Sequence, residues 1–522
     1  MQALHSPEQA ADWLRQRVTG DLRTDSRQVQ KGDAFIAWPG AATDGRQYLA
    51  AATAQGATAC LLEASGWQAW QDAHALATQE GAPSSEVTSN WATYAGLKAD
   101  TGWIANAYYE QPSQALKVLA VTGTNGKTST TWWLAQALNA LAVKPGAAAA
   151  AVCAVVGTLG VGQPPLLVAT GMTTPDPVVL HAQFRKWLDQ GFEYCAIEAS
   201  SIGVTEQRLA GTHIHLAVFT NFTQDHLDYH GSMQAYWQAK AALFDWPGLT
   251  AVVLNVDDVR GLELAERAEK QGLSVWTCSS QNKTARLRAQ NIQRHSMGLA
   301  FEVVEGAQQL ALQTTLMGEY NVDNLLGVMA ALRALDFDLA SAVAVCAHLS
   351  AVPGRMEKIT AGCDVATEKS LPLTVVDYAH TPDAVAQSLA ALRPLVQAHN
   401  AQLWCVLGCG GDRDSSKRPL MAQAAQAGAD RLIFTSDNPR SESPAHILND
   451  MLCGLQHPQA VHAELDRAQA IGYAVREAAA QDVILIAGKG HEATQEIEGM
   501  QYPFDDRVQA RMALLARAGV GA

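Results

Sequence analysis

The segment that most restricts the possible folds runs from Leu116 to Ala142. LKVLAV (116–121) is a short apolar strand, TGTNGKTST follows it, and WWLAQALNALA has the apolar spacing of a helix. A strand that turns through glycines straight into a helix commits the chain to an α/β layer. In such a loop, Gly123 and Gly126 let backbone N–H groups wrap around phosphate oxygens, and the helix N-terminus favours their negative charge. Lys127 then reaches the β- and γ-phosphates, and the Thr128 hydroxyl ligates Mg²⁺. Gly123, Thr124, Asn125, Gly126, Lys127, Thr128 and Ser129 are thus the candidate nucleotide loop. Val121 stands where the usual phosphate-loop pattern has its first glycine. The loop implies nucleotide binding and by itself does not separate a kinase, a motor and a ligase.

Strands and helices alternate beyond this loop. YCAIEAS (194–200), LAVFTN (216–221) and AVVLN (251–255) read as later strands of a mostly parallel sheet covered on both faces. A helix at 321–335 and the phrase VPGRME (352–357) close that unit. LTVVDYA, QLWCVLG, DRLIFTS and DVILIAG are buried strands separated by helical patterns near 382–393, 417–428, 466–480 and 506–518, a second doubly wound layer. Before the loop, TDSRQVQKGDAFIAWPG joins two strands through a turn at Lys31-Gly32-Asp33. The expected architecture is therefore α/β in three domains: a small N-terminal α/β domain (1–113), a central P-loop ATPase-like domain (114–355) and a C-terminal Rossmann-like domain (356–522). A length of 522 residues suits three or four domains.

Two stretches need separate treatment. Residues 66–89 read as a helix followed by a loose surface loop. Residues 145–175 carry no charge, but their Ala/Gly content, the Pro164-Pro165 pair and low Leu/Ile/Phe density point to a buried segment between strands, not a membrane span. The net charge of −14 argues against a nucleic-acid partner. Nine scattered cysteines with no CxxC pair read as reduced thiols. The N-terminus, MQALHSPEQAADWLRQR, lacks a basic segment followed by an apolar core, so no signal peptide and a cytoplasmic location are expected.

TGTNGKTST without a first glycine resembles the Mur ligase and folylpolyglutamate synthetase superfamily. Further phrases carry the resemblance along the whole chain: Thr173-Thr174-Pro175, Glu198-Ala199-Ser200-Ser201, Asn221 with DHLDYH (225–230), YWQAKAALF around Lys240, GEYN (318–321) with Asn324, and GRME (354–357). DYAHTPDA (377–384), GCGGDRD (408–414), DNPR (437–440) and AGKGHE (487–492) continue it in order. Together they resemble the Mur ligases that add the third amino acid. Two positions depart: Ile202 stands where the family pattern has His, and Glu206 where it has Gln.

The resemblance implies ATP-dependent amide-bond formation with Mg²⁺: a substrate carboxylate takes the γ-phosphate as an acyl phosphate, and an amine displaces phosphate. Two anions must meet, so cation density is the main physical need. By resemblance, Lys127, Glu198, His226 and Lys240 are catalytic, Thr128, Glu198 and His226 hold metal, and Lys240 is carbamylated. Mg²⁺ prefers oxygen, which makes His226 the less comfortable ligand. By the same resemblance, Asn324 and Arg355 belong to the ATP site, with Asp377 and His380 nearby, and Ser26, Thr173, Thr174, Ser200, Glu206 and Arg208 contact a UDP-linked muramoyl-dipeptide substrate. A monomer without an integral membrane segment is expected.

The added amino acid is expected to be meso-diaminopimelate. It differs from L-lysine by one distal carboxylate, and DNPR supplies a stiff loop with a guanidinium fork that grips a carboxylate. Asp437, Asn438, Pro439, Arg440, Arg413, Gly488 and Glu492 form the candidate amino-acid site, with Gly488 and Glu492 on the distal end. A surface salt bridge is the alternative role for Arg440. An L-lysine-adding ligase, a folylpolyglutamate-synthetase-like ligase, a P-loop kinase or hydrolase, and a nucleotide switch remain alternatives; the TDSR-bearing first domain counts against the second.

Overall fold

The computed structural model describes residues 1–40, 43–77, 90–143, 152–295, 298–397 and 400–519. Three α/β domains with mostly parallel sheets follow one another along the chain. They are grouped in two compact units: Met1–Thr122, Ala142–Ala217 and Ala239–Ala251 form one, and Gly123–Leu141, Val218–Gln238 and Val252–Ala522 the other.

In the first unit, strands β1 (Gln2–Leu4), β2 (Leu22–Arg23), β3 (Ala34–Ala37), β4 (Ala59–Glu63) and β5 (Trp91–Tyr94) form a parallel sheet of order β1-β5-β4-β3-β2. The short β2 leads into a 3₁₀ turn, Ser26–Gln28, capped by Asp25, which places TDSR at the sheet's end. Strand β6 (Lys117–Thr122) follows, then β7 (Cys153–Gly157), β8 (Gly160–Gln163), β9 (Leu166–Val168) and β10 (Tyr194–Glu198). β10 lies parallel between β6 and β7, with Tyr194 opposite both Lys117 and Cys153. The uncharged stretch is thus strand, not a buried connection: β7, β8 and β9 form an antiparallel meander, and Leu166 and Val168 on its last strand are 83% and 71% exposed. Its small residues suit tight strand turns better than a packed interior. The start of this stretch and the loop expected at 78–89 lie outside the described residues; the helix Trp67–Ala77 is present.

Strands β11 (Ile214–Phe219) and β12 (Ala251–Asn255) contain points where the chain passes from one unit to the other. In the second unit, β13 (Ser274–Ser279) pairs in parallel with β14 (Leu287–His295), which begins an antiparallel meander through β15 (Gly298–Glu305) and β16 (Gln308–Thr314). The C-terminal sheet has order β17-β18-β22-β19-β20-β21: Glu357–Ile359, Leu373–Asp377, Val483–Ala487, Leu403–Cys409, Arg431–Ser436 and His462–Ala463. All these neighbours are parallel except β17 with β18. Period-two alternation sends Leu403, Cys405 and Leu407 into one core and Trp404 and Val406 into the other, so helices cover both faces. In a doubly wound sheet the loops at the carboxyl ends of the strands carry the chemistry. Here they are 377–384, 408–414, 437–440 and 488–492. The hairpin of β23 (Thr494–Ile497) and β24 (Met500–Pro503) follows the last of them. Among the described residues no helix is long and apolar enough to cross a membrane.

Candidate active site

The nucleotide loop is a rigid, braced turn. Gly123 and Gly126 have φ of +147° and +86°, and a Cβ on either would collide with Thr220 Oγ1 or Asn324 Oδ1. Thr124 N–H donates to Asn221 O (2.9 Å), Asn125 N–H to Asn221 Oδ1 (2.9 Å), and Thr124 Oγ1 to Thr223 O (3.0 Å). Asn125 Nδ2 donates to Asp383 Oδ2 at 3.2 Å. Lys127 opens the helix Lys127–Ala142, and its ammonium donates to the loop carbonyls of Gly123 and Thr124, both at 2.9 Å. Ser129 is buried on the same helix, and Asn324 Nδ2 donates to Asn321 Oδ1 (3.0 Å). The sequence-predicted nucleotide residues are thus brought together around one loop.

Arg355 donates to the Thr128 hydroxyl (3.1 Å), and its guanidinium carbon lies 4.1 Å from the Tyr378 ring centroid. Asp377 is a brace for this turn: its Oδ2 accepts from Met356 N–H at 2.6 Å. Asp225 is buried, with Lys417 Nζ at 3.5 Å, His226 Nε2 at 3.4 Å and His380 Nε2 at 3.9 Å. Burial alone would raise its pKa, but His380, His226, Lys417 and the His226 N–H together hold it well below the usual carboxylate range. His226 has left-handed backbone, φ 52°, and a ring 40% exposed.

A second connected network lies in the first unit. Glu198, at the end of β10 and 1% exposed, accepts from Thr158 N–H (2.8 Å) and Thr158 Oγ1 (3.2 Å). Thr158 Oγ1 is 3.0 Å from Thr173 Oγ1. Thr174 Oγ1 donates to Glu198 O (2.7 Å) and lies 2.9 Å from Ser200 Oγ, which caps the helix Ser201–Thr205. Arg208 donates to Thr174 O at 3.1 Å. Asp176, partly buried with its pKa raised mainly by desolvation, caps the helix Pro177–Asp189, accepts from Thr24 of the TDSR turn, and faces Arg208. Four of the substrate residues expected from sequence, Thr173, Thr174, Ser200 and Arg208, thus cluster around Asp176 and Glu198, and Thr24 ties the turn that carries the fifth, Ser26, to Asp176. Glu206, the sixth, forms an ion pair with Lys98 at 2.7 Å. Asp176 was missed because an Asp before a Pro reads as a helix cap, and its partner Thr24 lies far away in sequence. Lys240 is not a snorkelling surface lysine: it sits in the last turn of the helix Met233–Ala241 and is 1% exposed.

The amino-acid residues also converge. Arg440 has φ 52°, a conformation uncommon for a side chain of this size, fixed by Arg440 N–H to Glu496 O (3.0 Å) and Glu498 N–H to Arg440 O (2.7 Å). Its guanidinium donates to Gly411 O (2.6 Å), and a Cβ on Gly410 would sit 3.1 Å from Arg440 Nη1 and 3.8 Å from Arg413 Cγ. The Arg440 guanidinium and the stem of Arg413 therefore both lie beside side-chain-free backbone at Gly410. Arg440 is not unpaired without ligand: Glu496 Oε2 lies 3.4 Å from its Nε. The alternative expected for Arg440, a salt bridge, is thus present in this structure, with its partner on β23. Gly488 N–H donates to Asp377 O (3.2 Å). Asn438 donates to Glu492 Oε2 (2.6 Å). Between them stands Lys489, 0% exposed, a residue absent from the sequence-based expectation because a lysine in a Gly-rich loop reads as solvent-exposed.

The Thr128 hydroxyl in the second unit and the Glu198 carboxylate in the first are each oxygen donors of the kind Mg²⁺ prefers, whereas the His226 ring nitrogens are not. Among the described residues no three His, Cys, Asp or Glu side chains gather as a metal-holding group. An ion at either donor would draw most of its shell from phosphate and water, the usual mode for Mg²⁺.

The chain is similar to known proteins along its whole length. The Mur ligase middle domain matches residues 121–332, the Mur ligase glutamate ligase domain 354–490, and the Mur ligase family catalytic domain 21–94. The chain is 54% identical to a UDP-N-acetylmuramoyl-L-alanyl-D-glutamate--2,6-diaminopimelate ligase from Acidovorax sp. (strain JS42), with all of both chains covered. It is 43% identical to one from Janthinobacterium sp. (strain Marseille), covering 98% of this chain and 97% of that one. A solved structure of a ligase with the same name is 35% identical, has a TM-score of 0.61 and covers 95% of each chain.

Proposed function

The chain belongs to the Mur ligase family, and from that premise we propose that it joins meso-2,6-diaminopimelate to the D-glutamate carboxylate of UDP-N-acetylmuramoyl-L-alanyl-D-glutamate, with ATP cleaved to ADP and phosphate, in peptidoglycan synthesis. The observation that carries the choice of amino acid is the placement of the Arg440 guanidinium and the Arg413 stem beside Gly410, with Asn438 and Glu492 hydrogen-bonded to each other on the adjoining loops. Diaminopimelate has a distal carboxylate for a guanidinium fork and a distal ammonium for Glu492 and the Gly488 carbonyl. In binding it takes the place of Glu496 on Arg440. L-Lysine offers no such anion.

When bound, ATP and Mg²⁺ supply the transferable phosphoryl group and much of the cation density it needs. The chain's own residues do the rest. Lys127 moves its ammonium from the loop carbonyls of Gly123 and Thr124 to phosphate oxygens, as a cation already tethered within reach. Thr128, held by Arg355, would offer its hydroxyl oxygen to the metal, and Glu198, fixed by Thr158, would offer an anionic oxygen. Lys240, as a carbamate, adds a buried negative group, with His226 the remaining metal-site residue. The Thr173–Thr174–Ser200–Arg208 network and Ser26 orient the UDP-linked substrate, whose carboxylate takes the phosphoryl group as an acyl phosphate. Glu206 is engaged by Lys98, so its substrate contact requires exchange of that partner. The reading places a monomer in the cytoplasm, where ATP is available.

The test is an amino-acid-dependent phosphate-release assay with ATP and the UDP-linked dipeptide, with the product mass recorded. Diaminopimelate-dependent release with a product heavier by one diaminopimelate residue is expected. Release that is independent of any amino acid would contradict ligase activity.

A further inference from the structure

Lys489 is a fully buried ammonium whose three protons meet three acceptors: Thr494 O at 2.8 Å, Asn438 Oδ1 at 3.0 Å and Glu492 Oε2 at 3.0 Å. Asp437 Oδ1 lies 3.9 Å away. A charge so buried persists only where its surroundings are built for it. Asn438 Oδ1 also accepts from Glu496 N–H at 3.0 Å, so two donors fix which end of that amide is oxygen. Its Nδ2 spends one proton on Glu492 Oε2 at 2.6 Å and keeps one. Glu492 receives both bonds on Oε2; among the described residues Oε1 takes none.

We propose that Lys489 is the positioning residue that gives the distal end of the amino-acid site its polarity, presenting one N–H of Asn438 and one oxygen of Glu492 side by side to a zwitterionic ammonium-carboxylate group. The inference rests on the amino-acid-ligase reading and deepens it. With Lys489 in place, a flipped Asn438 amide would set its NH₂ against an ammonium and a backbone N–H, and its oxygen against a carboxylate. Without it, the Glu496 N–H and the Glu492 carboxylate still oppose the flip, but the strongest donor to the Asn438 oxygen is gone and Glu492 keeps its charge with one donor fewer.

The experiment compares Lys489→Met with wild type, using whichever amino acid wild type joins. The proposal predicts an amino-acid KM raised about 10- to 100-fold, the usual cost of losing an orienting partner. KM for ATP and for the UDP-linked substrate should stay within about twofold. Hydrogen exchange at the Glu496 amide should accelerate in the variant. Parallel rises in all three KM values, or an unchanged amino-acid KM and unchanged Glu496 exchange, would overturn it. Should the variant fail to fold, Lys489→Met is made in a Glu492→Met background, where the two hydrogen-bonded charges are removed together. There the added Lys489 change must still raise the amino-acid KM and speed Glu496 exchange beyond Glu492→Met alone; equality overturns the proposal. Refusal of diaminopimelate by wild type sinks the substrate assignment only, since the accepted amino acid and the exchange measurement still decide the role of Lys489.

Discussion

Arg355 donates a hydrogen bond to the hydroxyl of Thr128, linking the GRME turn to the nucleotide loop over 227 residues of sequence. The same guanidinium covers the Tyr378 ring. Loss of the fork removes one bond that orients the Thr128 hydroxyl, the proposed metal ligand. Arg355→Ala is expected to raise KM for ATP by about 10- to 100-fold, the worth of a charged hydrogen bond. Arg355→Lys should recover only part of this, because an ammonium lacks the planar fork that stacks on an aromatic ring. Steady-state kinetics with ATP varied checks both; equal KM in the three enzymes would contradict the assignment.

Lys127→Ala removes the tethered cation while leaving the bonds of Asn221 and Thr223 that hold the loop. Turnover should fall by about 10³-fold or more, with an unchanged thermal midpoint. Phosphate release near the wild-type rate from a folded variant would refute the role.

Lys240→Ala should cripple turnover, and small added carboxylates should restore part of it by standing in for the carbamate. The side chain is buried, so its deletion leaves a cavity that can admit such an anion. Wild-type turnover by the variant, or an unmodified lysine in substrate-bound active crystals, would count against carbamylation.

Acid stability offers a test of the first unit. His181 is fully buried and its Nε2–H donates to Ala210 O (3.0 Å), so Nδ1 carries a lone pair with no partner. Burial lowers its pKa from 6.5 to about 4, since protonation would create a buried, unsatisfied N–H. A depressed histidine pKa favours the neutral fold: its contribution is complete above pH 6.5 and is lost as pH falls toward 4. The loss is about 3 kcal/mol at most. Denaturant unfolding of wild type between those pH values should show it, and His181→Gln, which keeps an N–H for Ala210 O, should flatten the slope. An identical slope in the variant would refute the assignment.

Much of the molecule was legible in sequence because its signals are local. Strand runs such as DVILIAG and the Gly123–Thr128 loop carry periodicity and turn chemistry within a few residues. The meanders at 153–168 and 287–314 were not, because short, polar or Gly-rich antiparallel strands leave a weak pattern. Candidate residues that share a motif, such as Thr173 with Thr174, could be named from sequence. Asp176 with Thr24, Glu206 with Lys98, and Lys489 with Asn438 depend on tertiary pairing that no spacing encodes.

The central claim is that Arg440 selects a carboxylate-bearing amino acid, and kcat/KM for meso-diaminopimelate and L-lysine, in wild type and Arg440→Ala, tests it most directly. Wild type should prefer diaminopimelate by about 10⁴-fold, because lysine gives the fork no anion to replace Glu496. Arg440→Ala should lose most of that preference through a fall in diaminopimelate kcat/KM. Similar wild-type values for the two amino acids, or an Arg440→Ala enzyme that keeps its preference, would contradict the account.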